Sequence, residues 1–218
     1  MEINNVEIKW LGHSSVLIKN SAVIYIDPYN ISSEKKADII LITHDHYDHC
    51  SIEDIKKIIK KGTIIITVPN CQSKITRLDD VVLELVEPGD EIKAGDIKID
   101  IVPAYNIEKE FHPKGDGVGY VIKIDNVIIY HAGDTDVIPE MEKLTGYGKE
   151  ENEFVALLPV SGNFTMNVDQ AVMAAEIIKP GVAIPIHYGS LSGTIEDAEN
   201  FIKFCKEKGI NAELLTKE

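Results

Sequence analysis

The chain has 218 residues, 36 of them acidic and 22 Lys or Arg, for a formal charge of −14. That length can bury a substantial core, and 44% hydrophobic against 27% charged residues is a globular balance. The acidity works against an extended nucleic-acid footprint and against anionic membrane surfaces, and no run approaches the ~18–20 apolar residues of a membrane-spanning helix, which argues against membrane insertion.

The start, "MEINNVEIKW", is polar and acidic and lacks the basic and apolar regions of a secretory leader. Short β-branched runs then predict strands over 6–10, 15–20, 22–27, 39–43 and 63–68, and again over 97–102, 119–124, 126–131, 154–160 and 182–187. Some alternate, as "IKIDI" does, and suit a strand with one solvated face; others, such as "IILIT", are continuously apolar and need cover on both sides. Amphipathic spacing predicts helices over 51–62, 168–181 and 194–209, each opening near Ser, Asp or Thr and closing at Gly or Pro-Gly. The expectation is two packed β-sheets with helices on their outer faces. No linker divides the chain, so residues 1–218 read as one domain. A faint echo links "AVIYIDPY" with "NVIIYHAGD". Cys50, Cys71 and Cys205 are odd in number and far apart, which reads as reduced thiols and a cytoplasmic location.

Polar groups collect where the apolar runs end. After 39–43 come His44, Asp45, His46, Tyr47, Asp48 and His49; Asp134 follows His131 past Ala-Gly; His187 closes 182–187; Asn106 follows 97–102 past Pro-Ala-Tyr. In a sandwich whose strands share direction, such ends gather on one edge and build a single site. Three imidazoles and two carboxylates in six positions would repel one another and resist burial unless a cation sat among them. Imidazole and carboxylate suit Zn²⁺ and related divalent ions. One tight loop can aim His44 and His46 at a first ion and Asp48 and His49 at a second. Asp134 could then bridge the two, with His187 completing the second. His112 and His131 carry weaker signals, because a lone histidine at a strand end is more often a hydrogen-bonded residue than a ligand.

"THDHYDH" resembles the His-x-His-x-Asp-His motif of the metallo-β-lactamase superfamily, with "WLGHSS" before it and "YHAGDT" and "IPIHY" after it in the expected order. "LPVSGNFTM" (158–166) is similar to the branch of small metal-dependent hydrolases that includes ascorbate-6-phosphate lactonase and N-acylphosphatidylethanolamine phospholipase D. The resemblance implies an α/β fold, a four-layer αβ/βα sandwich with the metal site at one edge. It also implies His44 and His46 on a first metal, Asp48 and His49 on a second, Asp134 bridging and His187 completing the second sphere. One position departs from the pattern: Asn106 stands where many members carry histidine. An amide oxygen is a weaker ligand, and His13 and His112 are the available substitutes. The expected cofactor is therefore a divalent metal at one or two ions per chain, zinc first, with manganese, iron or nickel as alternatives.

The expected activity is hydrolysis of a small ester, lactone or phosphoester by a metal-bound hydroxide. Asp48 would orient the hydroxide, and His13, His131 or His112 would donate hydrogen bonds or a proton. The polar segment 106–120 reads as a substrate lid, with Lys109, His112 and Lys114 meeting an anionic group, and Asn163 and Thr165 are further contacts for a small-molecule substrate. Asn106, His112 and Asn163 are thus the substrate-binding candidates, and a homo-oligomer stays open. The alternatives are a phosphodiesterase or nuclease of the same fold, or a non-hydrolytic metal-binding protein. His46 speaks for hydrolysis, since di-iron redox relatives tend to carry glutamate there.

Overall fold

The computed structural model describes residues 1–32, 35–148 and 152–218. The β-branched runs form strands, and they sort into two mixed sheets. The first holds β1 (Glu2–Ile3), β2 (Val6–Gly12), β3 (Ser15–Lys19), β4 (Val23–Ile26), β5 (Ile39–Ile42), β6 (Thr63–Thr67) and β7 (Val81–Leu85), side by side in chain order. The second holds β8 (Glu91–Ala94), β9 (Ile97–Ala104), β10 (Gly117–Ile124), β11 (Val127–His131), β12 (Glu153–Pro159) and β13 (Val182–Ile186), also in order. β1, β7 and β8 were not anticipated; β1 is two residues long, β8 is an edge strand with little hydrophobic signature, and β7 is an edge strand whose apolar "VVLEL" was passed over.

Strand direction explains where the chemistry collects. β4 through β7 are parallel, as are β11 through β13. β2 is antiparallel to β3 and β3 to β4, so β2 runs with β4. By the same count β9 runs with β11. The carboxyl ends of β2, β4, β5, β9, β11, β12 and β13 therefore all point the same way within their sheets. The two segments that echo in sequence hold matching places: β4 and β11 are each the strand where an antiparallel meander turns parallel.

One buried cluster joins the sheets, with Ile40 and Leu41 from β5 and Tyr120 and Ile129 from the second sheet. The buried Tyr120 hydroxyl lies 2.8 Å from Ile42 O and 3.1 Å from Ile66 O, a polar stitch between the sheets. At the site edge the Val118 amide donates to Thr43 O at 3.0 Å and the His187 amide to His13 O at 2.9 Å. Helices α1 (Ile52–Ile58), α2 (Gln72–Ile75), α3 (Val168–Ile178) and α4 (Ile195–Glu207) complete the layers of the αβ/βα sandwich. Asn167 and Thr194 form capping boxes at α3 and α4. α1 stops short of the expected Gly62 because Ile59 is already extended. No helix among the described residues is long and apolar enough to cross a membrane, and all three cysteines are buried and free.

Candidate metal centre

The site begins with Asp27, which directly follows β4. Its carboxylate accepts from the Thr43 amide at 2.8 Å, from Thr43 Oγ1 at 2.7 Å and from His49 Nδ1 at 2.7 Å. Since the Thr43 hydroxyl hydrogen goes to Asp27, the His44 Nδ1–H must be the donor in the 3.0 Å contact with Thr43 Oγ1. Both histidines are thereby held with Nδ1 protonated and Nε2 presenting a lone pair. Both Nε2 atoms are buried and have no hydrogen-bond partner. Sequence reasoning missed Asp27, although an Asp after the apolar run "VIYI" is the same signal that singled out His44 and His187.

His112 repeats this arrangement. Its Nδ1–H donates to Asn106 Oδ1 at 2.9 Å, its backbone amide donates to the same oxygen at 3.1 Å, and its Nε2 is buried without a partner. The Asn106 amide nitrogen donates to Phe164 O at 3.0 Å. Asn106 thus faces neither an ion nor a substrate; both ends of its carboxamide are engaged. The ligand atoms of His44, His46 and His112 lie within 4.8 Å of one another. The structure places His112 beside the expected first-metal histidines, where it is available in place of the histidine absent at 106.

Asp134 sits among these nitrogens. Its Oδ2 is 3.1 Å from His187 Nε2, 3.3 Å from His112 Nε2 and 4.0 Å from His44 Nε2, and its Oδ1 is 3.5 Å from His49 Nε2. A tetrahedron with ~2.0–2.1 Å bonds has edges of ~3.3–3.4 Å, so most of these gaps match donors sharing an ion. A second set, His13, Asp48, His49 and His187, also lies within 4.8 Å. His13 Nε2 is 2.9 Å from Asp48 Oδ2, and Asp48 Oδ2 is 3.6 Å from His49 Nε2.

Backbone strain delivers these side chains. Asp27, His13 and His187 adopt left-handed φ of 44°, 52° and 59°, so each strand ends in a reversal that turns its last side chain into the site. Gly133, with φ 66°, is needed for a different reason. A Cβ there would come within 2.8 Å of Val118 O, so only glycine lets the Asp134 turn approach Thr43 and the second sheet so closely.

The electrostatics call for a cation. Burial pushes the Asp134 carboxyl up, but His187 and His49, with His112 also close by, outweigh it and hold the group well below the usual carboxylate range. Burial lowers His49, yet Asp134 and Asp27 on either side lift it well above an ordinary imidazole. Burial, followed by His49, pushes His44 well below. Asp48, also raised by burial, is brought down to about 2, first by its hydrogen bond with His13. With protons alone, positive charge settles on His49 between two carboxylates. A divalent ion at the orphaned Nε2 atoms supplies that charge without the proton, so the residues present fit a metal centre.

Other expected site residues lie elsewhere. His131 is buried with both ring nitrogens engaged: Nε2–H donates to Ser14 O at 2.9 Å, and the Gly133 amide donates to Nδ1 at 3.2 Å. It has no atom left for catalysis and serves the packing of the Asp134 turn. Asn163 is exposed and does not line the cavity over the cluster, whereas its neighbour Phe164 does. Thr165 is buried against Ser161 Oγ at 2.9 Å. Lys109 pairs with Asp136 at 2.8 Å and Lys114 with Glu140 at 2.9 Å, so neither lysine of segment 106–120 reaches over the site. That segment contributes His112 and Phe111 instead.

Residues 7–187 match the profile of the Beta-lactamase superfamily domain. The chain is similar to a metal-dependent hydrolase of Archaeoglobus fulgidus, 33% identical over 96% of this chain and 95% of the relative. Among solved structures it resembles a candidate metal-dependent hydrolase from Parabacteroides distasonis, with a TM-score of 0.84, 31% identity and coverage of 98% and 94% of the two chains. Igni18, a metallo hydrolase from the hyperthermophilic archaeon Ignicoccus hospitalis, has a TM-score of 0.76 and 25% identity over 97% of this chain and 95% of its own.

Proposed function

This chain belongs to the metallo-β-lactamase superfamily and is a metal-dependent hydrolase, and we propose that it holds two divalent ions and cleaves a small ester, lactone or phosphoester. One observation carries the reading: His44, His49 and His112 each commit Nδ1 to a fixed acceptor and leave Nε2 buried, unpartnered and turned toward Asp134. His44, His46 and His112 would hold one ion; Asp48, His49 and His187 would hold the other, with His13 adjoining; Asp134 would bridge. Imidazole and carboxylate donors accept zinc, manganese or iron alike. Bound there, the ions would polarise a carbonyl or phosphoryl oxygen and acidify water.

The chain's own residues supply the rest. Asp48 lines the cavity floor, where it can accept a proton from water, and His13, 2.9 Å away and off the cavity, holds that carboxylate. Thr43, Asp27 and Asn106 keep the imidazoles in one tautomer and orientation.

Elemental analysis of protein purified without chelator tests this directly. About two ions per chain are expected, falling to about one in His112→Ala while the circular dichroism of the fold persists. His46→Ala or Asp48→Ala should abolish turnover. Unchanged metal content in both His112→Ala and Asp134→Ala would overturn the ligand set.

A further inference from the structure

A cavity of about 410 Å³ opens over the metal centre, within the ordinary range of small-molecule pockets. Its floor is ionic, with His46, Asp48, His112, Asp134 and His187, but its walls are not. Tyr47, Phe111, Phe164 and Leu191 stand around it with 65%, 52%, 38% and 47% of their surfaces exposed. Phe111 and Phe164 come from different loops and meet edge to face, ring centres 4.8 Å apart at 87°. Large apolar side chains left exposed together around a charged floor mark a surface that ligand covers.

Apart from the exposed Tyr47, one polar side chain interrupts this wall. Ser192 Oγ is buried, lines the cavity and has no hydrogen-bond partner. Its loop is closed by the Gly189 amide donating to Gly193 O at 3.1 Å. Gly193 sits at φ 70°, where a Cβ would come within 2.8 Å of His187 O, so the loop is anchored to the His187 turn. Sequence reasoning absorbed "IPIHY" as a ligand motif and left the following "GSLSG" unexplained. A buried hydroxyl without a partner costs free energy that a substrate's polar atom can recover.

No Lys or Arg among the described residues lines the cavity. Lys109 and Lys114 are paired as above, Lys74 donates to Asp45 O, and Arg77 lines a separate hollow with Ile52 and Leu78. A phosphate dianion would meet no protein cation beyond the metals, on a chain that is already strongly acidic.

We propose that the enzyme selects a neutral carbonyl substrate, an ester or lactone, whose apolar body of several carbons packs against Phe111, Phe164 and Leu191 while its polar end bonds to Ser192 Oγ. This rests on the hydrolytic reading above. In the reaction the oxygen of water bonds to the acyl carbon and the acyl C–O bond breaks. One proton of that water ends on the leaving alkoxide and the other is released to solvent as the acid forms its carboxylate, with no redox partner required.

The test compares the metal-loaded enzyme on p-nitrophenyl acetate, butyrate and octanoate with p-nitrophenyl phosphate and bis(p-nitrophenyl) phosphate. Binding of 2-butanone and 2-octanone, neutral carbonyl compounds that cannot be hydrolysed, is followed in parallel by calorimetry. kcat/KM is expected to rise roughly 2- to 4-fold per methylene as the chain enters the cavity, and 2-octanone to bind at least tenfold tighter than 2-butanone. Phe111→Ala and Phe164→Ala should each flatten both dependences. Ser192→Ala should weaken 2-octanone several-fold with metal content unchanged. Faster turnover of either phosphoester than of every acyl ester, or no chain-length dependence in rate and binding, would overturn the substrate class and leave the hydrolase reading standing. A metal-loaded protein that turned over none of the five would sink both.

Discussion

Asn106→Ala isolates a residue that does not touch the ions yet should govern one of them. The substitution removes the acceptor for the His112 backbone N–H and Nδ1–H and the donor to Phe164 O. Orphaning a buried donor costs ~1–3 kcal/mol; with three contacts affected, ~2–4 kcal/mol of stability should be lost. For a chain of this size that is a fall in Tm of ~5–15 °C. The metal effect is separable from this. Without its partner the His112 ring can rotate or change tautomer, and loss of such support typically weakens metal binding ~10–100-fold, ~1.4–2.8 kcal/mol. Competition with a chromophoric chelator should show one of two ions weakened by that factor and the other unchanged. Asn106→Asp keeps an acceptor for His112 and should restore most of the affinity without restoring the bond to Phe164. Asn106→His should weaken binding, because position 106 faces His112 rather than an ion. Full retention of both ions in Asn106→Ala alongside the stability loss would refute this, and tighter binding in Asn106→His would restore the ligand role expected from the sequence.

Three further substitutions probe the supports of the site. Asp27→Asn puts an amide group among Thr43 and His49 donors and should cost ~2–4 kcal/mol and weaken the ion at His49, as read by chelator competition. Gly133→Ala forces a Cβ against Val118 O at a left-handed φ; a loss of at least ~2 kcal/mol is expected by chemical denaturation, with metal content falling as Asp134 is displaced. Asp54, the buried N3 residue of α1, is raised by burial but lowered further by Lys57, Ser51 and the Asn30 and Ile31 amides, for a net depression. A depressed folded pKa contributes stability above the unfolded value of ~3.9 that is lost as pH falls through the folded one. The stability gap between wild type and Asp54→Asn should therefore be widest near neutral pH and shrink below about pH 4, and a gap independent of pH would refute the assignment.

Most of the frame was legible because its signals are local. Ten strands and three helices stand where period placed them, α1 ending short of its expected glycine, since "IILIT" or "VALLPV" cannot be satisfied except between two covered faces. β7 was passed over although its "VVLEL" is mostly apolar; it is an edge strand with three exposed residues of five, Val82 and Leu85 among them. The ligand cluster was legible for the opposite reason: carboxylates and imidazoles in "THDHYDH" have no inexpensive place in an apolar setting without a cation, whatever the fold.

Residues whose role is defined by the neighbour that orients them were only partly legible, and Asn106 and His112 show why. Read singly, an asparagine where histidine was expected is a damaged site, and His112 is one of two substitutes, with His13, between which the sequence does not choose. Six positions apart on a loop that folds back on itself, the amide oxygen fixes the ring and the ring's Nε2 reaches the ligand cluster. The loop supplies a third histidine to the cluster, and the strand end supplies the residue that aims it. The same relation holds between Asp27 and His49 across 22 positions, and in both cases the sequence marks the candidate ligand while only the fold reveals which neighbour holds its proton.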